Sequence, residues 1–446
     1  MAAGTVPTQE AEDDARLVNA VKGESHGHRI EPGEIAIGVV IGRTSEFFDF
    51  FVYAIASVLV FPRLVFPYLD PLRGTLASFA IFALAFIARP VGTAVFSEVD
   101  QRYGRGAKLT IALFMLGIST VAIAFLPGYG TIGHWSVVLL ALARIGQGVA
   151  LGGTWDGLAS LLALNAPEGK RGWWAMVPQL GAPFGLIVAS LLFMFLVQSL
   201  PGEDFLAWGW RYPFFVAFAI NVVALFARLR IVVTPEYSTL FEKRELQPAR
   251  MTSTLRSEWK VIAVGSFAPL ASFALFHMVT VYPLSYIFLY TEESPDRFLL
   301  IEAIAAAIGA VCVVLSGHLA DRFGRRTLLG VTAVLIAIFS FLAPQLLGAG
   351  ETGGIIFMVI GFILLGLSFG QSSGAVSSRF AQRHRYTGSA FTTDFAWLFG
   401  AGFAPLVALW LSARFGLIAA GAYLLSGAVC TLVALWLNRE LGKTIE

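Results

Sequence analysis

The sequence predicts an all-α membrane protein in which twelve transmembrane helices form two pseudo-symmetric six-helix bundles. Three observations predict this fold class. Hydrophobic residues make up 57% of the chain and charged residues only 13%, with a mean hydropathy of +0.74, whereas water-soluble domains carry about 25% charged residues. The chain contains twelve apolar runs of roughly the length that crosses a bilayer, about 20 residues. A short basic motif also occurs twice, once in each half of the chain.

The repeated motif is clearest in the second half, where residues 316–326 read SGHLADRFGRR between two apolar runs. A degraded copy, SEVDQRYGRG, occupies residues 97–106 at the equivalent place in the first half. Its glycines permit a tight turn, and its arginines keep the segment out of lipid. An internal copy of this kind indicates two halves of related structure.

The apolar runs follow one another with short polar interruptions. The longest interruption, the linker 233–259, separates an N-terminal bundle (35–232) from a C-terminal bundle (260–438). Residues 1–34 and 439–446 are polar, and we expect them to be cytoplasmic tails without a cleavable signal peptide. The predicted spans are roughly 35–61, 75–96, 108–126, 136–163, 173–199, 212–232, 260–290, 298–317, 327–347, 354–377, 388–411 and 416–438.

The distribution of Lys and Arg predicts the orientation. With both termini in the cytoplasm, eighteen basic residues fall in inner loops and five in outer loops, as the positive-inside rule requires. We therefore expect a multi-pass protein of a plasma membrane, the inner membrane of a bacterium, acting as a monomer. The net charge of +2 gives no indication of nucleic-acid binding. Cys312 and Cys430 lie in apolar runs, so we expect no disulfide, no metal and no cofactor.

Three basic residues and four acidic residues fall inside or at the edge of predicted spans. A charge at mid-membrane costs about 2.5–3.5 kcal/mol on insertion scales. Six of the seven lie in the first half, three of each sign, which predicts mutual pairing in a shared polar interior. The seven are Arg43, Arg89, Arg144, Glu46, Asp49, Asp156 and Asp394.

The first helix carries the densest group of these charges. Arg43, Glu46 and Asp49 recur every three residues and so share an arc of about 120°, with phenylalanines on the opposite side. Two neighbouring carboxyls can take up and release a proton, because they cannot both stay ionised cheaply. Glu46 and Asp49 are therefore proton-coupling candidates. The alternative is an internal Arg43–Glu46 salt bridge without a role in transport.

The fourth helix adds Arg144 and, one turn away, Gln147. A buried arginine needs an anionic partner, and Glu46 or Asp49 is the natural candidate. We assign Arg144 and Asp156 to proton coupling and Gln147 to the substrate site, with structural ion pairing as the alternative for both charged residues.

Further candidates come from both halves. Arg43, Arg89, Tyr282, Tyr286 and Asp394 are predicted to contact substrate, although an aromatic stripe at helical spacing is more often packing. The two basic motifs are predicted to form a gate through interhelical charge contacts. The gating candidates are Asp100, Arg102, Arg105, Asp321, Arg322 and Arg325.

The two basic motifs resemble the loop 2–3 and loop 8–9 signature of the major facilitator superfamily (MFS). Other stretches resemble its metabolite:proton symporter family: EFFDF at 46–50, ARPVG at 88–92, WRYPF at 210–214 and RYTG at 385–388. The resemblance covers nearly the whole chain. It implies the MFS fold, alternating access and a substrate such as a dicarboxylate, citrate, shikimate or a betaine.

The chain departs from the family pattern at several positions. In the first basic motif Ser97 replaces Gly and Gln101 replaces the acid, while Asp100 lies one place early. In helix 4, Thr154 stands where the family usually has Glu, and Asp156 lies about 200° away around the helix. Arg43 stands where the family has a small or polar residue. A lost acid and a gained cation favour an anionic substrate.

These observations lead to one functional hypothesis. The chain is a secondary active transporter that moves a small organic acid, a carboxylate, with protons across the lipid bilayer. It is not an enzyme, because no catalytic constellation is visible. The alternatives are an MFS exporter or antiporter of hydrophobic or drug-like compounds, and an osmolyte symporter. A non-transporting sensor would need a soluble output domain, for which the linker and tails offer little room.

Overall fold

The computed structural model describes residues 32–154, 166–167, 169–232, 248–372 and 380–443. Within these ranges the chain is helical and has no β-strand. Ten of its helices are long and apolar enough to cross a membrane. One of them, Pro71–Ala124, is two spans joined at Gly104, and Pro32–Leu59 adds a further helix of sufficient length that carries charged residues. The described helices therefore account for twelve spans.

We label these spans α1 to α12 in chain order. The helix Met251–Phe267 leads into α7, and short helices lie in other connections. The bounds are Pro32–Leu59 (α1), 71–103 (α2), 105–124 (α3), Trp135–Gly153 (α4), Arg171–Ser199 (α5), Tyr212–Val232 (α6), Leu270–Tyr290 (α7), Pro295–Phe323 (α8), Arg325–Leu347 (α9), Gly350–Phe369 (α10), Arg385–Phe415 (α11) and Ile418–Lys443 (α12).

The two basic motifs are helix ends rather than loops. The predicted interruption between the second and third spans is wrong, because helix continues to residue 103 and resumes at 105. Gly104 alone breaks it, with φ 82°, and Gly324 makes the equivalent break with φ 86°. Both values lie in the left-handed region that favours glycine. We call the end of the bundle that carries these two turns the basic end, and the opposite end the outer end.

The seventh span differs from the single helix predicted over 260–290. Helix begins at Met251, inside the predicted linker, and is interrupted before α7 at Pro269. Proline lacks an N–H and clashes with the preceding turn, so it ends one helical segment and allows another to start. The first part of the predicted linker, 233–247, lies outside the described residues.

Two spans contain irregular turns next to the centre of the bundle. In α5, the segment Val177–Leu180 is a 3₁₀ turn that includes Pro178. In α11, Trp397–Gly402 forms a π-helical segment. Such segments are frequent at functional sites, because they redirect side chains within an otherwise regular helix.

Close packing of α2 against α4 positions two of the predicted site arginines. A Cβ atom at Gly148 would overlap the backbone of Ala85, and one at Gly152 would overlap the backbone at Arg89. Glycine at these two positions lets the helices approach closely, as is typical in membranes. The approach places Arg144 of α4 on the same side of the bundle interior as Arg89 of α2.

Polarity is distributed as expected for a protein in lipid. Large apolar side chains face outward, among them Phe114, Phe226 and Phe341, each more than 60% exposed. Glu46 and Arg144 are buried in the interior. Ionisable groups inside spans are costly and usually line a functional cavity.

Candidate functional site

A narrow cavity with about 30 Å³ of free volume lies between α1, α2, α4 and α11. Its wall combines four charged side chains with apolar and aromatic ones, and Trp397 is its contribution from the second half of the chain. The lining residues are Arg43, Glu46, Phe47, Phe50, Ala85, Phe86, Arg89, Arg144, Leu151 and Trp397.

Glu46 holds two arginines at once. Its Oε2 accepts a hydrogen bond from Arg43 Nη1 at 2.8 Å, and its Oε1 accepts one from Arg228 Nη1 at 2.7 Å. Glu46 and Arg228 are both buried. The predicted Arg43–Glu46 bridge is therefore present, but it is half of a three-residue cluster that links α1 to α6. A proton on Glu46 would weaken both ion pairs at once.

Arg144 is enclosed by aromatic rings. Its guanidinium carbon lies 4.0 Å from the ring centre of Tyr53 and 4.9 Å from that of Phe82, distances typical of cation–π contacts. Nη1 donates to Gln147 Oε1 at 3.0 Å, and Nε donates to the carbonyl oxygen of Phe82 at 3.3 Å. Nη2 is buried and has no hydrogen-bond partner among the described residues. The side chain thus retains an unused donor at the cavity wall.

The expected ionic partner of Arg144 is not found. Within the described part of the chain, no carboxylate lies within salt-bridge distance of its guanidinium, so the prediction that Glu46 or Asp49 pairs with it directly is wrong for this conformation. Glu46 is occupied by two other arginines, and Asp49 is occupied by neutral donors. Among the described residues, Arg144 is therefore a buried cation without a direct ion pair, and Asp49 reaches it only through the Gln147 amide.

Asp49 lies at the centre of a neutral hydrogen-bond network. Thr120 Oγ1 is 2.9 Å and 2.8 Å from its two oxygens, and Asn221 Nδ2 donates to Oδ2 at 3.2 Å. Gln147 Nε2 donates to Oδ1 at 3.4 Å. Because Gln147 also accepts from Arg144, its amide links the carboxyl to the guanidinium. Asp49 itself does not line the cavity.

Arg89 and Asp394 form a bridge between α2 and α11. The Arg89 Nε lies 2.7 Å from Asp394 Oδ1, and Thr93 Oγ1 donates a hydrogen bond to the other carboxylate oxygen. Both charged side chains are largely buried. The two residues were predicted as substrate contacts, but the structure pairs them with each other, and of the two only Arg89 lines the cavity.

Aromatic rings form the rest of the cavity wall. The ring centres of Phe47 and Phe86 lie 5.9 Å and 6.1 Å from that of Trp397. His277 stacks on Phe50 at 5.3 Å, behind this wall. The cavity therefore offers flat apolar surfaces next to guanidinium groups, a combination that suits a small organic anion with an apolar body.

The remaining predicted contacts lie elsewhere. The Tyr282 hydroxyl is bonded to Ser412 Oγ at 2.6 Å, and the ring of Tyr286 packs on Tyr290 at 5.4 Å. These positions do not support a substrate contact in this conformation, because the side chains are absent from the cavity wall. The prediction grouped Tyr282 and Tyr286 because they are four residues apart. Side chains at that spacing are displaced both around the helix and along it. Asp156 lies outside the described residues.

At the basic end, Asp321 caps a helix of the other half. Its carboxylate accepts hydrogen bonds from the backbone N–H groups of Gly172 at 2.6 Å and Trp173 at 3.0 Å. These groups belong to the first turn of α5, whose N–H groups point out of the helix and carry partial positive charge. The predicted gating role of Asp321 thus has a contact between the halves, made with backbone rather than with an arginine.

The first basic motif contacts the second half in a different way. Asp100 is buried, 3.5 Å from Lys108 Nζ and 3.5 Å from the Tyr386 hydroxyl of α11. Lys108 donates to the same hydroxyl at 2.8 Å. Asp100, which lies one place before the position of the family's acid, therefore contacts α11 of the second half.

The gating arginines have separate roles. Arg102 is exposed and pairs with Glu98 of its own helix, while Arg105 lies 5.6 Å from the ring centre of Tyr386. Arg322 is exposed against the neighbouring ring of Phe323. Arg102 and Arg322 therefore give no support to the predicted interhelical charge gate. The contacts of Arg325 include the Gln371 side chain at 3.2 Å and the Arg171 carbonyl oxygen at 3.4 Å.

Replacing Asp321 with alanine is expected to open the basic end. The change removes two charge-assisted hydrogen bonds, each contributing about 1.5–3 kcal/mol. Ser316→Cys in a C312A/C430A background reports on opening, because Ser316 is fully buried in α8 near this contact. We expect its labelling by a water-soluble maleimide to accelerate at least about tenfold, a conservative fraction of that energy.

Two variants control this experiment. Asp321→Asn keeps one acceptor oxygen and should give an intermediate labelling rate. Arg322→Ala changes an exposed neighbour and should leave labelling at the parental rate. Parental labelling in Asp321→Ala would show that the helix cap does not hold this end closed.

Some site residues escaped the sequence analysis. Arg228 and Lys108 were counted among inner-loop cations, yet the structure buries both and pairs them with Glu46 and Asp100. Asn221 was not singled out, although it lies two turns before Arg228 and is a second polar group on the same helix. Glu302 in α8, fully buried, was also missed.

Comparison with known proteins places this site in context. The profile of the Major Facilitator Superfamily matches residues 44–398. The inner membrane metabolite transport protein YhjE of Escherichia coli K12 is 40% identical over 404 residues, covering 89% of this chain and 92% of the relative. The shikimate transporter of the same organism is 30% identical over 406 residues, covering 88% and 91%.

Two further matches are a transporter of another organism and a solved structure. A proline/betaine transporter of Salmonella typhimurium is 30% identical over 384 residues, covering 83% of this chain and 76% of the relative. The crystal structure of a D-xylose-proton symporter superposes with a TM-score of 0.69 at 20% identity, covering 89% of this chain and 96% of the symporter. That likeness concerns the fold.

Proposed function

The chain belongs to the major facilitator superfamily, and we propose that it moves a small organic anion together with protons by alternating access. Members of this family are transporters, so the protein is a metabolite transporter and not an enzyme. Beyond membership of this superfamily, we propose the charge of the substrate, the coupling ion and the direction of transport. Uptake is the proposed direction.

The observation that carries the proposal is the uncompensated Arg144 at the cavity wall. An unpaired buried cation is costly, and an anion in the cavity would neutralise it. Among the described residues, the wider cluster also has an excess of positive charge, because it contains four arginines and three carboxylates even when all three are ionised. An anionic substrate would reduce that excess, which grows by one unit with each proton that the cluster takes up. Its members are Arg43, Arg89, Arg144, Arg228, Glu46, Asp49 and Asp394.

A betaine is the second candidate substrate. Its carboxylate would suit an arginine, and its quaternary ammonium would suit the faces of Phe47, Phe86 and Trp397. A zwitterion, however, would leave the excess positive charge of the cluster in place. That difference favours an anion, and the charged wall disfavours the alternative of exporting hydrophobic compounds.

Proton coupling would act through the two carboxyls of α1. Protonating Glu46 weakens its ion pairs to Arg43 and Arg228, which frees Arg43 for a substrate carboxylate. Protonating Asp49 withdraws negative charge from the Gln147 amide that contacts Arg144. In both cases a proton makes an arginine more available to an anion, so proton and substrate would bind together.

The proposed setting is a bacterial inner membrane with both termini in the cytoplasm. One relative is itself an inner-membrane protein. Placing the basic end inside satisfies the positive-inside rule, and a monomer contains the whole cavity. With this orientation, Asp321 and Asp100 would close the cytoplasmic side.

Uptake into proteoliposomes tests the proposal. We expect an inward proton gradient to drive accumulation of a carboxylate, identified from a panel of mono-, di- and tricarboxylates and betaines. Glu46→Gln and Asp49→Asn should each abolish acceleration by the gradient, since neither variant can exchange a proton there. The readout is the initial rate with and without the gradient.

Glu203→Gln is the matched control, because Glu203 is an exposed acid at the outer end. It should keep the parental response to the gradient. Normal gradient-driven uptake by both α1 variants would refute the coupling assignment. Uptake limited to betaines would instead support the second candidate.

A further inference from the structure

Glu302 is a buried acid that the proposed mechanism does not use. It lies on α8 and is 1% exposed. Its Oε2 is 3.0 Å from Ser190 Oγ on α5. Its Oε1 is buried and has no hydrogen-bond partner among the described residues. Since α5 and α8 belong to different halves, this contact crosses the seam between them.

The helices packed around Glu302 supply no compensating cation. Between residues 181 and 199, α5 contains no ionisable side chain, and α10 contains only Glu351 at its outer end. On α7 the titratable groups are His277, which packs against the rings of α1 and α2, and three tyrosines. The cations of α9 are Arg325 and Arg326 at the basic end.

The charged neighbours on α8 itself are already engaged. Asp296 accepts a hydrogen bond from Gln198 of α5 at 2.9 Å, and Arg297 pairs with Glu351. Both lie at the outer end, about 8–9 Å along the helix from Glu302. Within the described residues, no cation therefore lies within salt-bridge distance of the Glu302 carboxyl.

An ionised carboxylate in this place would be uncompensated, which costs several kcal/mol even after relaxation. A bound proton removes that cost and supplies a donor for the Ser190 hydroxyl. The 3.0 Å separation suits a hydrogen bond with either group as donor. Closure of the contact between α5 and α8 therefore favours the protonated form of Glu302, and protonation of Glu302 favours closure.

The depth of Glu302 indicates which side would expose it. It lies about 10 Å inside the outer end of α8, and Ser190 lies about 14 Å inside that of α5, at 1.5 Å per residue. If the halves separate at the outer end, water reaches this seam before it reaches the basic end. Water would then stabilise the ionised carboxylate.

We propose that Glu302 is a proton-binding site that favours closure of the outer side of the transporter. The carboxyl binds a proton as α5 and α8 come together and releases it to outside water as they separate. The site would make outer closure depend on external acidity without adding a transported proton. This inference rests on the alternating access of the proposed function, but not on the identity of the substrate.

The test measures the distance between the outer ends of α5 and α8. Spin labels on S199C and E292C, both exposed positions, in a C312A/C430A background report opening in nanodiscs without substrate. We expect the open fraction to rise at least about tenfold from about pH 5 to about pH 10, the range in which buried carboxyls titrate. Glu302→Gln should stay closed throughout.

Two variants separate the site from its surroundings. Asp296→Asn alters an acid of the same seam and should retain the full pH response. Ser190→Ala keeps the carboxyl and should retain the response with a shifted midpoint. If Glu302→Gln does not fold, Glu302→Leu provides a second non-ionisable side chain.

The inference is overturned by either of two results. One is a distance that does not change with pH in the parent protein, and the other is a parental pH response in the non-ionisable variants. Failure of organic-anion uptake would leave both measurements intact. Failure of the pH response would leave the substrate and its coupling through α1 untouched.

Discussion

Replacing Arg144 with glutamine is expected to lower carboxylate uptake at limiting substrate by at least about 30-fold, because removing one partner of a buried charge pair costs about 2–5 kcal/mol. In the structure this guanidinium lines the cavity, and among the described residues one of its donors is unused and no carboxylate lies within salt-bridge distance. A substrate carboxylate would therefore form an ion pair with Arg144 without displacing an existing one. Glutamine keeps a polar group but loses the charge.

The measurement is the initial rate in proteoliposomes, together with the thermal shift produced by the carboxylate that is carried. Arg144→Lys keeps the charge but loses the fork of donors and the stacking on Tyr53, so we expect an intermediate rate. Arg414→Gln, an exposed arginine at the outer end, should match the parent. A parental rate in Arg144→Gln would show that the anion is bound elsewhere.

Helix count and fold class were predictable because they depend on the length and polarity of each run. A span needs about 20 apolar residues wherever it lies in the bundle. The ends of the helices were less predictable. Residues such as Glu98 and Arg102 are too polar for lipid, yet they continue the helix of α2 into water, and composition alone does not distinguish a helix end from a loop.

The face of α1 shows how far periodicity reaches. Spacing placed Arg43, Glu46 and Asp49 on one arc, and all three are directed into the bundle. An arc of about 120° is wide enough to face more than one neighbour. Asp49 accordingly contacts Thr120 of α3 and Asn221 of α6 rather than the cavity. These partners lie on other helices, so the pattern of α1 contained no information about them.

Contacts made with uncharged groups also could not be predicted from the sequence. Asp321 binds backbone N–H groups, which every residue except proline possesses. Arg228 and Lys108 have the opposite difficulty. Each has the charge and the span-end position of an orienting residue, and only tertiary packing distinguishes a buried cation from an exposed one. The count of basic residues predicted the orientation, but it placed Arg228 and Lys108 in loops although both are buried.

Breaking the Arg89–Asp394 pair is the second large expected effect. We expect Arg89→Gln alone and Asp394→Asn alone to lower transport by at least about 100-fold, because stranding one member of a buried ion pair costs about 3–5 kcal/mol. Each single variant should also unfold at a lower temperature. The measurements are initial uptake rates and thermal unfolding of the purified protein.

The double variant distinguishes a latch from a substrate contact. Arg89 differs from Arg144 because a carboxylate of the other half already neutralises it. If the pair acts as a latch between α2 and α11, replacing both charges removes the stranded ion, and the double variant should recover uptake to within about tenfold of the parent. If Arg89 instead binds the substrate, the double variant will transport no better than Arg89→Gln. We expect recovery, because the ion pair is complete without substrate and must separate whenever the two halves part at the basic end.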